Sequence, residues 1–475
     1  KKFVDLQHDV TVKDIKVAHI EGFRSVEHLK RYTTLGMAAD QGKTSNMNAL
    51  AIMAELRGIS IPEAGTTRFR APYKPVALGT LAGRNIGNHY KAKRVTPMHD
   101  WHIDHGAEMI EAGIWYRPRV YKKPGETLEE AYVREATAVR NSVGIVDVTS
   151  LGKIDVQGPD AAEFLNRVYV NPFLKVPVGK ARYGVMLRED GYLFDDGTSW
   201  RLSENQFLMT TTTANAASVL SELERLLTLV WPNLKVHVSS VTDQWAGMAV
   251  AGPKSRDVLV KIIDDIDFSE KGLPHMAIAD GRIGKIPVKV ARLSFSGERA
   301  YEIYTGTSHG KAVWKAVIEV GKPYNIVPYG TEALGTLRIE KGHISGPELD
   351  GRTTMNDLGL GKMASENKQY IGSVLSKRDG LVATNRKKMV GLISKDQKPL
   401  KAGSHVMDNE KNVGHITSTT FSPAMKKYIA LALIDCDDSM INRELIAAYP
   451  LNKEQNNVLV VDPHFYDKEG DKLYA

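Results

Sequence analysis

The chain has 475 residues, of which 42% are hydrophobic and 25% are charged, as in a folded globular protein of two to four domains. Its single cysteine, Cys436, excludes an internal disulfide framework and metal sites built from several cysteines. No apolar run approaches the ~20 residues of a membrane-spanning helix, and no secretory signal opens the sequence. We therefore expect a cytoplasmic protein without a membrane partner.

The positive charge of the chain is concentrated near its start. Residues 1–100 carry 16 Lys and Arg against 9 Asp and Glu, so they account for the whole formal net charge of +7. No basic helix with interleaved aromatic residues occurs there, and we do not expect a nucleic-acid partner. A docking surface, an anionic cofactor site and an ordinary solvated face stay open as explanations.

Residues 1–60 predict a small helical unit. Thr11 and Asp14 have the spacing of a capping box, and Ser25 is placed to cap a second helix. Residues 36–46 form a loop that leads into a third helix. The start of this third helix is a plausible anion site, because free backbone N–H groups and the helix dipole point outward there. The residues at that position are Lys43, Thr44 and Ser45.

The loop before the third helix is not a P-loop. The first glycine of that motif would fall on Met37, and Gly36 is one residue out of register. An ordinary capped helix start is the alternative interpretation.

The region that follows is rich in Pro, Gly and Arg and predicts a linker at 61–97. Residues 98–105 then hold three histidines and two aspartates. Metal ligation is conceivable, but neither a second ligand cluster nor an H-E-x-x-H pair occurs. Local hydrogen bonds that hold a loop explain the segment better, and we expect no metal site.

From residue 126 the pattern predicts an amphipathic helix and then an α+β domain. A strand, a Gly-Pro turn and a helix occur at 154–165, with Pro159 expected at the first helical position. The same signature returns at 248–259. Two copies of one unit predict two similar lobes within one domain.

A glycine turn at 191–197 lies between the two copies and carries Asp195 and Asp196 side by side. Adjacent like charges repel, which raises the pKa of one of the two groups. A carboxylate in such a place is a candidate proton acceptor.

The second lobe predicts a strand, turn and strand at 288–304, with Glu298 in the turn. Alternation places Tyr301 and Ile303 on one face of the returning strand and Glu302 on the other. A solvent-facing glutamate is the simpler interpretation of Glu302. A helix at 334–341 and a Gly-rich connection at 345–375 precede a series of short strands, which predicts a small β-barrel or sandwich.

Taken in order, six segments over residues 98–475 resemble the glycine-cleavage T-protein (aminomethyltransferase) family. The resemblance is closer to the C-terminal half of the alpha subunits of heterotetrameric sarcosine oxidases. The segments of this chain that carry this closer resemblance are 3–48, 98–102, 151–169, 331–334 and 337–342. The six T-protein segments are 140–149, 156–159, 191–197, 295–303, 337–342 and 413–418 with the strand that follows Pro423.

The resemblance implies an α+β fold in which a small helical domain precedes a T-protein-like folate-binding domain of two similar α+β lobes and a C-terminal β-barrel. The implied boundaries are 1–60 for the helical domain, 61–97 for the linker, 98–385 for the folate-binding domain and 386–475 for the barrel.

The helical domain is similar to one that binds a two-iron cluster in related proteins, but here Asp5, Gln7, Asp40 and Ser45 stand at the cysteine positions. We expect no cluster. The family also has an N-terminal dinucleotide-binding half, whereas this sequence has no G-x-G-x-x-G unit. The chain is then either the C-terminal part of such a subunit or a shortened relative.

The activity that the resemblance implies begins on a partner subunit, whose flavin oxidises an N-methyl amine to an iminium. The T-protein-like domain then transfers the one-carbon unit to tetrahydrofolate. Asp196 matches the proton acceptor near the folate N10, with Asp195 as the less favoured choice. Glu302 matches the carboxylate that holds the pterin donor groups in a bidentate pair. The resemblance implies three further folate contacts, which are Phe295, Tyr301 and Arg338. The family commonly has Tyr at the position of Phe295. A second arginine of the family aligns with Leu334 and is missing from this chain.

Other cofactors and partners are implied by the same resemblance. FMN would lie at a subunit interface, with its phosphate at Lys43, Thr44 and Ser45, and FAD and NAD would lie elsewhere in the complex. The partners would be beta, gamma and delta subunits and a small-molecule substrate. Two alternatives stay open: the equivalent subunit of an N-methylglutamate or dimethylglycine dehydrogenase, and a non-catalytic folate-binding assembly subunit.

Overall fold

The computed structural model describes residues 1–71, 74, 76–81, 83–84, 92–435 and 438–474. The predicted linker therefore lies partly outside the described residues, and Cys436 lies outside them. The chain divides into two compact units, Lys1–Ala92 and Lys93–Ala475. No helix among the described residues is long and apolar enough to cross a membrane.

The first unit is a small helical domain, as the sequence predicts. Its first helix begins with the expected capping box, in which the Thr11 N–H donates to the Asp14 carboxylate over 2.7 Å. The buried side chains of Ile15, Leu29 and Met53 form its core. The elements of this unit are β1 (Phe3–Asp5), β2 (Val10–Thr11), α1 (Val12–Ile20), α2 (Val26–Thr33), α3 (Asn46–Arg57), α4 (Ile61–Ala64) and α5 (Leu78–Leu81).

The second unit opens with the histidine-rich segment, which forms a short helix. His102 in this helix is fully buried, with Nε2 3.0 Å from the Asp147 carboxylate and Nδ1 2.8 Å from the Tyr121 hydroxyl. These bonds anchor the segment to two strands. Within the described ranges, no group of three or more His, Cys, Asp and Glu could hold a metal ion. The elements are α6 (His99–Asp104), β3 (Ala107–Ala112), β4 (Trp115–Tyr121) and α7 (Leu128–Asn141).

The two predicted lobes follow, and each is built on one sheet. Their elements in chain order are β5 (Gly144–Asp147), β6 (Gly152–Gln157), α8 (Ala161–Val168), β7 (Ala181–Leu187), β8 (Leu193–Ser203), β9 (Gln206–Thr211), α9 (Ala216–Arg225), β10 (His237–Ser240), β11 (Trp245–Ala251), α10 (Ser255–Leu259), β12 (Ile278–Ile283), β13 (Ile286–Ala291), β14 (Ala300–Gly306), α11 (Gly310–Gly321), β15 (Val327–Pro328) and α12 (Thr331–Lys341).

The sheets pack in layers. The first has the strand order β10-β6-β9-β8-β7 and the second the order β12-β13-β14-β11-β5-β15. Helices α8 and α9 share one apolar core with the first sheet, and α10 and α11 share another with the second. A third core joins strands of both sheets with α7 and α12, and includes Trp200 and Tyr304. The facing surfaces of the two sheets therefore meet in this third core.

The repeated Gly-Pro signature is present in both lobes and has the same physical cause in each. Gly158 and Gly252 follow β6 and β11 with φ of +140° and +124°, a region that side chains disfavour. A Cβ at either glycine would lie within 2.4 Å of a backbone carbonyl oxygen. One detail differs from the prediction: α8 begins at Ala161, so Pro159 precedes the N-cap and is not the first helical residue.

The two acids of the predicted turn lie on a strand instead. The turn itself is at Gly191, and strand β8 begins at Leu193, so Asp195 and Asp196 are paired with Met186 and Val185 of β7. The hairpin register, which a single sequence does not reveal, decides this difference. Because they are strand neighbours, the two acids point to opposite faces of the sheet.

The C-terminal part is a closed barrel, which resolves the choice between barrel and sandwich. Its strand order is β16-β19-β18-β17-β20-β21. The elements after α12 are α13 (Asp379–Val382), β16 (Lys387–Ser394), β17 (His405–Asp408), β18 (Lys411–Ser422), β19 (Lys427–Asp435), β20 (Glu444–Tyr449), β21 (Glu454–Val461) and α14 (Asp471–Tyr474).

One buried arginine ties these parts together. Arg140, near the end of α7, donates to Glu340 of α12 over 2.7 Å and to Glu298 over 2.9 Å. The other oxygen of Glu340 accepts a hydrogen bond from the Ser422 hydroxyl of the barrel. The guanidinium also lies 4.0 Å from the centre of the Tyr466 ring. Helices α7 and α12, the second lobe, the barrel and the C-terminal segment therefore meet at one ion-pair network, which we call the Arg140 hub.

Replacement of Arg140 by Met should destabilise the chain strongly, because it leaves Glu298 and Glu340 buried without a cation. The expected loss is about 3–5 kcal/mol, seen as a lower midpoint of thermal unfolding by circular dichroism. Arg225→Met is the matched control, since Arg225 pairs with Glu189 and Glu222 at the surface and such pairs contribute about 1 kcal/mol or less. Equal midpoint shifts in the two variants would contradict the hub.

Candidate functional site

The two acids of β8 have separate environments. Asp195 is 2% exposed and its carboxylate accepts the backbone N–H of Thr212 over 3.2 Å. Asp196 lies on the other face, where its Oδ2 accepts a hydrogen bond of 2.8 Å from the Tyr183 hydroxyl. The structure thus assigns the adjacent acids to opposite sides of one sheet, and only Asp196 shares a face with Tyr183 and Trp200.

The electrostatics favour Asp196 as the group that exchanges a proton. Burial and then the negative charge of Asp195 raise the pKa of Asp196 to about 7, against the lowering effect of the Tyr183 hydroxyl. Burial also raises the pKa of Asp195. A carboxyl that titrates near neutral pH accepts and returns a proton efficiently.

Two glycines bring other segments close to this strand. A Cβ at Gly197 would lie 2.1 Å from the Thr210 carbonyl oxygen, so glycine lets β8 pass closely over β9. At the turn, Gly191 has φ of +90°, and a Cβ there would lie 2.6 Å from the backbone of Ser376. The connection between the second lobe and the barrel therefore packs directly on the turn that precedes the acids.

Glu302 of β14 is a half-buried carboxyl of the second lobe, and its Oε2 atom is buried. Its strand neighbours are Ala249 and Ala291, which occupy little space beside it. Burial raises the pKa of Glu302, whereas the Tyr304 hydroxyl and the charge of Lys153 lower it. The Tyr304 hydroxyl therefore acts on the Glu302 carboxyl. Within the described part of the chain, however, neither this hydroxyl nor Glu302 Oε2 has a hydrogen bond of good geometry.

An aromatic stack connects the strands that carry the two carboxyls. The rings of Trp200 on β8 and Tyr304 on β14 stack with their centres 4.6 Å apart. Asp196 lies four residues before Trp200 and Glu302 two residues before Tyr304, so each acid shares a face with its ring. Asp196 and Glu302 therefore project from the facing surfaces of two sheets that this stack holds together.

The other predicted folate residues lie in different places. Phe295 is 41% exposed, with its ring centre 5.8 Å from that of His343 and its carbonyl oxygen accepting a hydrogen bond from His343 Nδ1. Tyr301 is fully buried on the opposite face from Glu302 and accepts a hydrogen bond from Arg256. The structure thus leaves Phe295 accessible and separates Tyr301 from Glu302, because strand neighbours alternate.

Arg338 is engaged in a buried ion pair. Its guanidinium donates to Glu348 over 2.8 Å and to the Ser418 hydroxyl over 2.6 Å. It lines a cavity of about 340 Å³ between α7, α12 and the barrel, and neither Asp196 nor Glu302 lines that cavity. Arg338 is thus engaged by Glu348 and Ser418 in a cavity that neither of the two carboxyls lines.

In the first unit, Lys43, Thr44 and Ser45 precede helix α3 as predicted, but a carboxylate occupies part of the expected anion site. Asp40 accepts the Thr44 hydroxyl over 2.9 Å and the Gly42 N–H over 3.2 Å. Ser45 is 2% exposed and its hydroxyl has no hydrogen-bond partner among the described residues. The hydroxyl and backbone N–H of Thr44 therefore donate to Asp40 within the loop.

Two residues near the carboxyls were not singled out from the sequence. Tyr183 is thirteen positions before Asp196 and meets it only through the β7–β8 pairing. Lys153 lies on β6, about 150 positions before Glu302, and no spacing rule connects them. Both residues would be found only with the strand register in hand.

Replacement of Asp195 by Asn should lower the pKa of Asp196 below about 7, because the neighbouring negative charge is one cause of its elevation. A titration of the Asp196 carboxyl by ¹³C NMR, assigned with Asp196→Asn, would measure the change. Asp190→Asn is the control, since Asp190 lies in the preceding turn and pairs with Arg188 over 2.7 Å. An unchanged titration in Asp195→Asn would rule out this coupling.

Comparison with known proteins gives three family matches that follow one another along the chain. Residues 1–84 match the sarcosine oxidase A3 domain, residues 98–368 the GCVT N-terminal domain, and residues 387–467 the glycine cleavage T-protein C-terminal barrel domain. Together these matches agree with the order of parts in the fold.

The chain is also similar to individual proteins of both kinds. Sarcosine oxidase subunit alpha of Rhizobium meliloti is 45% identical over 100% of this chain and 49% of its own length. The chain thus spans about half the length of the alpha subunits that it matches. Aminomethyltransferase of Thermotoga neapolitana is 31% identical over 71% of this chain and 89% of its own length.

A solved structure supports the fold alone. The glycine cleavage system aminomethyltransferase T of Bartonella henselae covers 79% of this chain and 98% of its own, with a TM-score of 0.69 and 22% identity. The predicted resemblance to T-proteins and sarcosine oxidase alpha subunits is confirmed. The GCVT N-terminal domain model alone covers more than half of the sequence, and the chain therefore belongs to the glycine cleavage T-protein family.

Proposed function

We propose that this chain is part of the alpha subunit of a sarcosine oxidase and transfers the one-carbon unit of oxidised sarcosine to tetrahydrofolate, giving 5,10-methylenetetrahydrofolate. The observation that carries the proposal is the pair of half-buried carboxyls, Asp196 and Glu302, on the facing surfaces of two sheets. The similarity of the whole chain to sarcosine oxidase alpha subunits supports the choice of one-carbon donor.

The two carboxyls have different tasks in this proposal. Glu302 accepts hydrogen bonds from the N–H and amino donors of the pterin ring, for which two carboxylate oxygens suit a bidentate pair. Asp196 accepts a proton from a folate nitrogen as that nitrogen bonds to the iminium carbon. Asp196 returns this proton to the former sarcosine nitrogen, whose bond to the carbon breaks as glycine leaves. The second folate nitrogen, N10, then bonds to the same carbon and closes the methylene bridge. Asp196 accepts the N10 proton and passes it to the amine of the departing glycine.

The neighbours of Asp196 fix the orientation of its carboxyl and raise its pKa, as this proton transfer requires. Tyr183 donates to one carboxylate oxygen, which orients the group and leaves the other oxygen for the substrate. A pKa of about 7 means that Asp196 can take up the proton and give it back at neutral pH without a large energetic cost. Phe295, which is accessible, would contact the folate from the side of the second lobe.

The oxidation itself would occur on a flavin, FMN, at an interface with a beta subunit, with gamma and delta subunits, FAD and NAD elsewhere in the complex. In this chain the first unit would contribute to the flavin phosphate site through Lys43 and Ser45. The buried, unpartnered Ser45 hydroxyl and the positive charge of the first hundred residues support that role.

Asp196→Asn should keep tetrahydrofolate binding but lower methylene transfer by about 10²–10⁴-fold, the usual contribution of a general base. Binding is measured by anaerobic calorimetry on the 475-residue chain, and transfer by the yield of 5,10-methylenetetrahydrofolate from sarcosine in the assembled oxidase. Asp280→Asn, an exposed partner of Lys289 in the second sheet, is the matched control.

Two results would count against the proposal. Absence of tetrahydrofolate binding by the wild-type chain and by the assembled oxidase would exclude the folate function. Binding by wild type and Asp196→Asn with equal methylene transfer would exclude the role of Asp196.

The flavin contact has its own test. In the complex assembled with a beta subunit, Ser45→Val should lower the FMN retained per complex by about tenfold if the hydroxyl meets the phosphate, since one hydrogen bond to a charged group is worth about 1.5–3 kcal/mol. Ser60→Val, at the N-cap of α4, is the control. Equal FMN content in all three proteins would exclude Ser45.

A further inference from the structure

Lys153 is a buried cation that the proposed reaction does not use. The residue is fully buried on β6, and its ammonium group donates to the Thr149 and Leu151 carbonyl oxygens over 2.6 and 2.9 Å. The same nitrogen lies 5.3 Å from the centre of the Tyr304 ring. Two carbonyls and one ring face therefore fix the ammonium in place.

Among the described residues, in contrast, no cation is bonded to the Oε2 atom of Glu302. This oxygen is buried, and it has no hydrogen-bond partner in the described part of the chain. The nearest strand neighbours on both sides are alanines, which cannot donate a side-chain hydrogen bond. A buried carboxylate in this condition is costly unless a ligand or a nearby charge compensates it.

The Tyr304 hydroxyl is the first group that compensates the carboxylate, and the charge of Lys153, which lies against the Tyr304 ring, is the second. This charge lowers the pKa of Glu302 against the effect of burial, and Glu302 in turn supports the charge of Lys153, whose pKa burial lowers to about 8. Other charged and titratable groups face the pair from the surrounding elements. Those that act on Lys153 are Asp147, Asp243 and Arg117, and those that interact with Glu302 are Tyr304 and Tyr329.

We propose that Lys153 is a positioning residue that keeps Glu302 ionised from a distance, so that both carboxylate oxygens stay available for the donor groups of a bound pterin. This inference rests on the proposed folate function for its ligand, but not for the charge coupling. A direct salt bridge would occupy one oxygen, whereas an ammonium tied to backbone carbonyls attracts the carboxylate without bonding to it.

The test removes the charge of Lys153 and keeps the volume of its side chain. In the 475-residue chain, Lys153→Met should move the titration of the Glu302 carboxyl to higher pH by about one unit and weaken tetrahydrofolate binding about tenfold at pH 7. The carboxyl is followed by infrared difference spectroscopy, assigned with Glu302→Gln, and binding by anaerobic calorimetry from pH 5 to 9. The loss of affinity should shrink at low pH, where Glu302 is protonated in both proteins.

Controls separate charge from structure. Lys153→Arg should restore the wild-type pH profile, and Lys289→Met, which removes a lysine paired with Asp280, should not change it. Lys153→Met in a Glu302→Gln background should cost no further affinity, because the lysine acts through the glutamate. If Lys153→Met does not fold, Lys153→Gln keeps a donor for the carbonyls and removes the charge.

The outcomes are distinct for the two proposals. An unchanged Glu302 titration in Lys153→Met, or an affinity loss that is equal at every pH, overturns the role of Lys153. A shifted titration in a chain that does not bind tetrahydrofolate confirms the coupling and overturns the folate function alone.

Discussion

The Arg140 hub is the constraint on which the rest of the second unit depends. One guanidinium neutralises two buried carboxylates that come from different parts of the fold, and Glu340 extends the network to the barrel. Glu298 lies in the turn that enters β14, four residues before Glu302. The ion pair therefore holds the strand that carries one proposed binding group. Because buried charges tolerate no loss of a partner, helices α7 and α12, the second lobe and the barrel are stabilised as one arrangement.

Around this framework the two lobes contribute unlike carboxyls. Asp196 has a donor on one oxygen and a pKa near neutrality, as suits proton exchange. Glu302 has an unbonded oxygen and a cation nearby but not in contact, as suits binding. The difference arises from what surrounds each strand: a tyrosine on the neighbouring strand in the first lobe, and two alanines in the second. Similar lobes thus give the two carboxyls different chemical environments.

Much of the fold follows from local pattern. The capping box at Thr11, the duplicated Gly-Pro unit and the alternation along β14 each depend on residues close in sequence, and each is present. The misplaced features depend on distant pairing. The position of Asp196 on a strand follows from its register with β7, and the engagement of Arg338 follows from Glu348 in a loop without periodic pattern. No residue-level rule connects such partners before the strands are paired.

The first unit shows how a loop can be held without a metal. Asp5 accepts the backbone N–H groups of Gln7, His8 and Gly36, and Asp40 does the same for Gly42 and Thr44. The resemblance to iron-binding domains implies that both acids occupy positions where those domains have cysteine ligands. A cluster-dependent domain folds only after iron and sulfide are supplied, whereas carboxylate anchors are complete when the chain is synthesised. The two loops are therefore held in place by hydrogen bonds from the chain's own backbone to these carboxylates.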